Sequence, residues 1–401
     1  MESPTLEITA PAATPAAPKT TVPFGVNEIR LNAREWIVTL AIVLTCAIAI
    51  PRVWKAIEPF HPGSDYRIPY ALSKDYWLYQ RRIDQINDPD RIPILGDSVI
   101  WGEYVRPDGT LSHFLNRQAD RSDRFVNCGV NGVFPLAMQG LVDDYARSLK
   151  GRKVIVHCNI LWLTSPERDL STDKEASFNH SRLVPQFFPR IPCYRADANE
   201  RISAVLDRHV NFYAWVNHFR DAYYQEQSIP RWTLDDDGND PPTFPNAWKN
   251  PLAPLKAGIP QEPPVDPDRG PTSPRHKPWT ADGAEPSYFD WVDLNASMQW
   301  RAFRQVLTRL RDRGDDVLVV IGPFNEHHVA EAQRPTSLAL RDGIAAWLAQ
   351  NKVPVVVPET LPSDLYADAS HPLTAGYALL AERIWNDPVF QKWLAVAEVK
   401  P

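Results

Sequence analysis

Three residues from opposite ends of the chain have the types and spacing for nucleophilic chemistry. Ser98 closes a Gly-Asp-Ser tripeptide that directly follows the apolar run Ile92–Leu95. Asp368 and His371 lie three positions apart, so the carboxylate can hold one tautomer of the imidazole and stabilise its protonated form. The sequence therefore predicts Ser98 as nucleophile, His371 as general base and then acid, and Asp368 as the group that orients His371.

The segments that carry these residues resemble the signature blocks of the SGNH (GDSL-type) hydrolase family. That family begins with Gly-Asp-Ser-x-x-x-Gly and ends with Asp-x-x-His-Pro, as do Gly96–Gly102 and Asp368–Pro372. The resemblance extends over two pieces, residues 91–164 and 296–390. It implies an acyl-serine intermediate and a mechanism that requires no cofactor and no metal.

The same resemblance implies three oxyanion donors: the N–H groups of Ser98 and Gly132 and the side-chain amide of Asn159. Gly132 ends the segment Val126–Gly132, which resembles the family's second block. The third block normally ends in Gly-x-Asn-Asp, whereas here a strand ends in Asn159 with Ile160 after it. A turn glycine at position 132 and a helix cap at position 159 are the competing interpretations.

Composition narrows the class of protein. The chain has 401 residues, 44% of them hydrophobic, and a net charge of −6, which argues against a nucleic-acid partner. Gly-rich phosphate loops, dinucleotide fingerprints and zinc-type Cys/His spacings are absent from the sequence. Of four cysteines, Cys128 and Cys158 follow adjacent blocks of the site, and we expect buried free thiols there rather than a bridge.

Short β-branched runs alternate with helical patterns, which predicts an α/β fold with a central parallel sheet. The resemblance implies its type, a flavodoxin-like three-layer sandwich. The predicted strands are Ile92–Leu95, Arg124–Asn127, Lys153–Cys158, Val317–Ile321 and Val353–Val357. The predicted helices of the core are Leu136–Leu149, Ser297–Arg313, Thr336–Asn351 and Tyr377–Trp385.

The N-terminal part of the sequence predicts a membrane anchor. Residues 1–35 are expected to be a disordered tail, because the first of them are rich in Pro, Ala and Thr. Residues 36–54 form an apolar run with a Trp at each end, long enough to cross a bilayer, and residues 55–90 are a connector. A cleavable signal peptide and a buried core helix are the alternatives. We expect a single-pass anchor in the cytoplasmic membrane with the catalytic domain, residues 91–401, outside.

A large insertion, residues 165–295, interrupts the catalytic pattern. Its first half holds an amphipathic helical stretch, Asp197–Gln227, and its second half, Pro230–Tyr288, is rich in Pro and Trp. So many prolines predict a loop without regular helix or interior strand. Its Trp232, Trp248 and Trp279 could stack on sugar rings as part of a lid, or attach the loop to the core.

Asn325 and His327 follow the fourth predicted strand, so either could contact substrate at the same edge of the sheet. The function that these patterns predict is a membrane-anchored serine esterase acting on O-acyl (acetyl) esters of carbohydrate. An O-acyltransferase that modifies an envelope or extracellular polysaccharide is the first alternative. A non-catalytic envelope scaffold on the same fold is the second.

Overall fold

A computed structural model describes residues 31–86, 88–234, 249–256, 258–259 and 277–396. The predicted disordered tail lies outside these residues except at its last few positions, and Trp248 lies outside them too. The chain divides into one unit that ends at Ala49 and a second that begins at Ile50. The predicted strands and site residues all belong to the second unit.

Five parallel strands form one sheet in the order β2-β1-β3-β4-β5. They are β1 (Ile92–Gly96), β2 (Phe125–Gly129), β3 (Lys153–Cys158), β4 (Asp316–Ile321) and β5 (Val355–Val356). The predicted parallel sheet is confirmed, although β5 is shorter than its apolar run. Pro93 precedes the part of β1 that pairs with β3, so its missing N–H is tolerated inside an interior strand.

Alternate residues of the strands enter two separate hydrophobic clusters, which identifies one core on each face of the sheet. Leu95, Val154 and Val156 belong to one cluster, whereas Ile94 and Ile155 belong to the other. Such two-sided burial explains why the strand sequences read as continuous apolar runs rather than as alternating ones.

Thirteen helices lie in the described part of the chain. They are α1 (Ala33–Ile57), α2 (Tyr76–Asp84), α3 (Ser98–Trp101), α4 (Leu111–Gln118), α5 (Pro135–Gly140), α6 (Pro166–Asp169), α7 (Ala198–His209), α8 (Asn211–Tyr224), α9 (Ile229–Leu234), α10 (Met298–Asp312), α11 (Arg334–Gln350), α12 (Thr374–Asn386) and α13 (Pro388–Ala395). Residues of α5, α10 and α11 enter the first cluster, and residues of α4, α12 and α13 enter the second.

The prediction of one helix over Leu136–Leu149 is wrong in its second half. Regular helix ends at Gly140 and is followed by a wider π-type turn, Leu141–Tyr145. The carbonyls of Val142 and Ala146 accept hydrogen bonds from the Arg313 guanidinium, at 3.0 and 3.1 Å. These two carbonyls are thus acceptors for Arg313, the residue that follows α10, and the helix does not continue to residue 149.

α1 contains the predicted membrane span. Its most apolar window has a mean hydropathy of 2.1, with 6% of that window buried. By length and composition, α1 is therefore able to cross a bilayer. Pro51 lies inside the helix, close to its C-terminal end.

The helical half of the predicted insertion packs on the connector. The stretch Asp197–Gln227 divides into α7 and α8 because Val210 between them adopts an extended conformation. On α8, the buried His218 lies between two carboxylates, 2.7 Å from Asp75 Oδ2 and 2.9 Å from Glu58 Oε1. Trp54 contacts the same helix through an edge-on ring contact with Phe219 at 5.1 Å.

One part of the loop prediction for Pro230–Tyr288 needs correction, since α9 begins at Ile229 and includes Pro230. Proline is compatible with the first turn of a helix, where the backbone N–H has no intrahelical acceptor. The remaining described residues of that stretch form short 3-10 turns at Pro254–Lys256 and Trp279–Asp282 and one isolated bridge, between Ser287 and Val329.

Candidate active site

Ser98, His371 and Asp368 form a continuous hydrogen-bonded relay. His371 Nε2 lies 2.7 Å from Ser98 Oγ, although the two residues are 273 positions apart. On the other side of the ring, Nδ1 lies 2.8 Å from both carboxylate oxygens of Asp368. Ser98 and His371 are both buried, at 8% and 6% exposed. The arrangement is that of a serine activated by a histidine whose tautomer a carboxylate fixes.

The backbone around Ser98 explains how the hydroxyl reaches this position. β1 ends at Gly96, Asp97 caps the N-terminus of α3, and Ser98 is the first residue of that helix. The cap is made by Asp97 Oδ1, which accepts a hydrogen bond from the Val99 N–H at 3.0 Å. Because β1 lies inside the sheet, Ser98 is held at the carboxyl edge between two neighbouring strands.

The loop that carries Asp368 and His371 is held by its own hydrogen bonds and by Asn325. Asp368 Oδ1 accepts the N–H groups of Ser370 and His371, each at 2.9 Å. Asn325 donates its side-chain amide to the Asp368 carbonyl at 3.0 Å and its own N–H to the Ala369 carbonyl at 2.9 Å. The spacing of three residues thus folds into a tight turn that places the carboxylate against Nδ1.

The charges of the relay favour an ion pair between Asp368 and His371. Burial by itself would raise the pKa of Asp368, but the charge and hydrogen bond of His371 hold it well below its usual range. For His371, burial would lower the pKa, whereas Asp368 and Glu103 raise it to about 9. The imidazolium, which must form when Ser98 loses its proton, is therefore a stabilised species in this site.

Two of the predicted oxyanion donors have N–H groups available for a ligand. Among the described residues, no acceptor takes a hydrogen bond from the N–H of Ser98 or of Gly132. Gly132 has a φ of +73°, and a Cβ there would lie 2.4 Å from Asn179 Nδ2. The positive φ therefore favours glycine, and a Cβ would in addition displace the end of the Asn179 side chain. The role of Gly132 as a donor stays a prediction.

Asn159 has two partners in the structure. Its amide nitrogen donates to Asp97 Oδ2 at 2.9 Å, and its carbonyl oxygen accepts the Leu161 N–H at 3.0 Å. The second contact is the helix cap that the sequence left open as an alternative. One amide proton remains beyond the bond to Asp97, so a part in the oxyanion hole stays a prediction.

Sequence reasoning missed the network around Asp97, the residue beneath the nucleophile. This carboxylate is 1% exposed and accepts hydrogen bonds from Asn159 and from Trp162 Nε1, the latter at 3.2 Å. His157 Nδ1 lies 3.1 Å from Asp97 Oδ1. Burial would raise the pKa of Asp97, but His157 and the hydrogen bonds outweigh it and hold the pKa below its usual value. A His two residues before Asn159 on the adjacent strand was the only signal in the sequence.

A second missed residue is Glu103, five positions after the nucleophile. Its Oε2 lies 3.3 Å from His371 Nε2, and the residue is 4% exposed. The ring of Tyr104 meets the same imidazole edge-on, with centroids 5.5 Å apart. The GDS-type signature does not distinguish these two residues from ordinary loop residues, so the sequence offered no reason to select them.

A cavity of about 250 Å³ begins at Gly132. It is lined by apolar residues and by polar side chains, most of them from the predicted insertion. Lining residues include Gly132, Phe134, Arg168, Leu170, Phe178 and Asn179. The buried His180, whose Nε2 lies 2.7 Å from the Asn131 carbonyl, fixes the Asn179 segment to the turn that carries Gly132. Of the predicted site residues, Gly132 lines this cavity, whereas Ser98, Asn159 and His371 are not among its lining residues.

The two residues predicted to contact substrate after the fourth strand differ in their surroundings. Asn325 is fully buried, and its side-chain amide and N–H donate to the carbonyls of Asp368 and Ala369. His327 is exposed, and its Nε2 donates to the Leu361 carbonyl at 3.0 Å. Substrate contact by either residue stays a prediction; Asn325 supports the loop that carries Asp368 and His371.

The returning end of the predicted insertion also packs beside that loop. Trp279 donates its indole N–H to the Ser363 hydroxyl at 3.1 Å and meets the His328 ring edge-on at 4.8 Å. Ser287 Oγ lies 3.1 Å from His328 Nε2. For Trp279, these contacts favour attachment of the loop to the core over a free sugar platform. Trp232 instead packs against Tyr224 of α8.

The cysteines near the site are free and buried, as expected from the sequence. Burial raises the pKa of Cys128 to about 12 and that of Cys158 further still. Neither thiol is therefore a nucleophile at neutral pH.

Comparison of the sequence with protein-family models and with curated proteins gave no match. The functional assignment therefore rests on the residues and on the geometry given above.

Proposed function

We propose that this chain is a membrane-anchored serine ester hydrolase of the SGNH type that acts through an acyl-serine intermediate. The observation that supports this proposal most directly is the relay, in which His371 Nε2 lies 2.7 Å from Ser98 Oγ and His371 Nδ1 lies 2.8 Å from Asp368 Oδ1. In acylation, His371 takes the Ser98 proton while Oγ attacks the ester carbonyl, and then gives that proton to the leaving alcohol. Water, activated by the same histidine, releases the acyl group.

The sheet supports the SGNH assignment. Its strand order, 2-1-3-4-5, is that of flavodoxin-like doubly wound folds, which bind ligands outside the carboxyl ends of their strands. Ser98 follows β1 and Asn159 follows β3, so both stand at that edge. Helices pack on both faces, as a three-layer sandwich requires.

The size of the cavity at Gly132 favours a short acyl group. Pockets for drug-sized ligands measure about 300–1,000 Å³, and this one measures about 250 Å³. A cavity of this volume fits the acetyl ester of a carbohydrate better than it fits a long-chain lipid ester. Polar side chains at the cavity, among them Arg168 and Asn179, suit the hydroxyls of a sugar.

A sugar hydroxyl in place of water would make the protein an O-acyltransferase for an envelope or extracellular polysaccharide. The relay serves both reactions, because His371 can activate either acceptor. We infer that α1 anchors the chain in the cytoplasmic membrane, with the catalytic domain on the outer side. This location favours a polymer near the membrane surface as the acyl acceptor. A periplasm-only reporter fused after Pro401 should be active; a silent reporter would reverse this orientation.

The decisive experiment uses the full chain in detergent and a fluorophosphonate probe, with the adduct located by peptide mass spectrometry. Labelling is expected at Ser98 and should vanish in Ser98→Ala and His371→Ala. Ser112, a buried serine of α4, provides the matched control, because Ser112→Ala should label as the parent does. Absence of labelling in a folded sample would favour a non-catalytic scaffold.

Esterase and transferase are then separated with an acetyl donor ester. Release of acetate in buffer, unchanged by added oligosaccharide, indicates hydrolysis. Acetylated oligosaccharide, detected by mass spectrometry and dependent on Ser98, indicates transfer.

A further inference from the structure

We propose that Glu103 is a further catalytic carboxylate, which stabilises the imidazolium of His371 from the Nε2 side. A catalytic role for Glu103 depends on the proposed serine chemistry, whereas its contact with His371 does not depend on any substrate. Glu103 Oε2 lies 3.3 Å from His371 Nε2, the same nitrogen that lies 2.7 Å from Ser98 Oγ. The atom that receives the proton therefore has the nucleophile and a carboxylate beside it.

The backbone before and after Glu103 turns its side chain toward the histidine. Gly102 and Tyr104 both have positive φ, +88° and +66°, and the Glu103 N–H donates to the Ser98 carbonyl at 3.0 Å. A non-glycine residue in the left-handed region is uncommon and costs free energy, so other contacts must hold it. At Gly102, a Cβ would lie 2.6 Å from a methyl group of Thr110.

Arg67 from the connector supplies those contacts. Its guanidinium donates to the carbonyls of Trp101, Gly102 and Val105, at 3.2 Å for Trp101 and 2.6 Å for Val105. The same group lies 4.4 Å from the centroid of the Trp101 ring. A buried arginine thus fixes both ends of the short turn that carries Glu103.

Several charged groups face His371, and Glu103 has a distinct place among them. Asp368 contacts Nδ1 on the far side of the ring, and Asp97 acts on the imidazole through its charge without a direct bond. Tyr104 presents only its ring. Glu103 is therefore the carboxylate on the reacting nitrogen, where the positive charge of the transition state develops.

The proton inventory stays balanced through the cycle. In acylation, the Ser98 O–H bond breaks, the Nε2–H bond forms, and that proton leaves with the alcohol as the ester C–O bond breaks. In deacylation, the acceptor O–H gives its proton to Nε2, and this proton returns to Ser98 Oγ. The Glu103 side chain lies beside the Nε2 proton in both imidazolium states and favours the positive charge that develops there.

The test measures the protonation of His371 directly. In the full chain, exchange of the imidazole C2 hydrogen for deuterium is followed over a range of pH by peptide mass spectrometry. Glu103→Gln should move the midpoint of His371 exchange to lower pH by about one unit, since a neighbouring anion is lost. On the alkaline plateau, kcat/KM for an activated acetyl ester should fall about tenfold.

Two further variants separate this effect from a structural one. Glu103→Asp retains the charge and should keep the midpoint near that of the parent chain. Glu359→Gln makes the same change of net charge at a carboxylate that is 87% exposed, and it should move neither quantity. An unmoved midpoint in folded Glu103→Gln would overturn the proposal.

Failure of the proposed function would look different from failure of this inference. A chain that shows no ester turnover and no serine labelling would refute the enzyme assignment, yet the exchange midpoint of His371 would still report whether Glu103 acts on it. Conversely, labelling at Ser98 with an unchanged midpoint would keep the enzyme and remove Glu103 from its catalytic residues.

Discussion

The amide nitrogen of Asn159 donates to Asp97 Oδ2 at 2.9 Å, which joins the end of β3 to the cap of the helix that carries the nucleophile. Trp162 Nε1 donates to the same oxygen at 3.2 Å. Oδ2 of Asp97, the residue before Ser98, therefore accepts hydrogen bonds from two side chains, of which only Asn159 is also a candidate oxyanion donor. This pairing offers a way to separate support of the nucleophile from stabilisation of the oxyanion.

Asn159→Ala should lower kcat by about 10²-fold or more, because it removes both the bond to Asp97 and an oxyanion donor. Trp162→Phe removes only a donor to the same oxygen, so its loss should stay below about tenfold. Both variants are assayed with one activated acetyl ester. Equal losses in the two variants would mean that Asn159 acts through Asp97 alone.

Asp368→Asn should lower kcat by about 10⁴-fold while the fold is retained, because an amide donates to Nδ1 and favours the wrong tautomer of His371. Initial rates with the activated ester give the value, and circular dichroism checks the fold. Asp364→Asn, at an exposed position in the preceding 3-10 turn, is the matched control and should keep the parent rate. A loss of less than about tenfold in Asp368→Asn would argue against the relay.

Gly132→Ala should lower kcat strongly with a smaller effect on KM, because φ of +73° disfavours a Cβ and Asn179 Nδ2 would lie 2.4 Å from it. A displaced N–H at this turn is no longer aimed at the oxyanion. The variant Gly132→Ala with Asn179→Ala relieves the steric contact but not the φ strain, so recovery should be partial. Full recovery in the double variant would show that the steric contact alone causes the loss.

Asn325→Leu should reduce kcat by about tenfold and cost about 1–3 kcal/mol of stability, because the buried bond to the Asp368 carbonyl is lost. Urea unfolding and ester turnover provide the two readouts. His327→Ala, on the same loop but exposed, should change stability by less than about 0.5 kcal/mol. If His327→Ala lowers the catalytic rate more than Asn325→Leu does, the substrate contact predicted for His327 gains support.

His218 should make the stability of the chain depend on pH. Burial would lower the pKa of His218, but Asp75 and Glu58 raise it to about 9. A folded pKa above the unfolded value of about 6.5 stabilises the fold fully below that value. The contribution is lost as the pH rises toward about 9. The free energy of unfolding should therefore fall over this range.

His218→Ala tests this network, since it leaves two buried carboxylates without their shared cation and should cost about 3–5 kcal/mol at about pH 6. The difference in stability between parent and variant should shrink at about pH 10. Because both chains contain His371, its own contribution cancels in this difference. His113→Ala breaks a partly exposed pair with Asp65, in which each side chain is 28% exposed, and it should cost less than about 1 kcal/mol. A difference that is independent of pH would contradict a charged His218.

The parallel sheet could be predicted from the sequence because its strands are apolar on both faces and are separated by turn residues. Lys153–Cys158 was predicted with its observed bounds, whereas β5 contracted to Val355–Val356. The helix predicted through Leu149 ended early, since Arg313 from a distant helix binds its carbonyls. Local patterns therefore identified the elements, and long-range hydrogen bonds set some of their ends.

The sequence by itself determined the sheet, the apolar N-terminal helix and the candidate relay residues, because these depend on local periodicity and on short spacings such as that of Asp368 and His371. Only the tertiary structure decided that Ser98 meets His371, that Asn159 binds Asp97, and that Glu103 lies beside Nε2 of His371. The orientation of the Glu103 side chain depends on the backbone conformation around it and on hydrogen bonds from Arg67, which lies 36 positions earlier in the chain. Such contacts arise from the packing of separate segments, and residue spacing along one chain does not encode them locally.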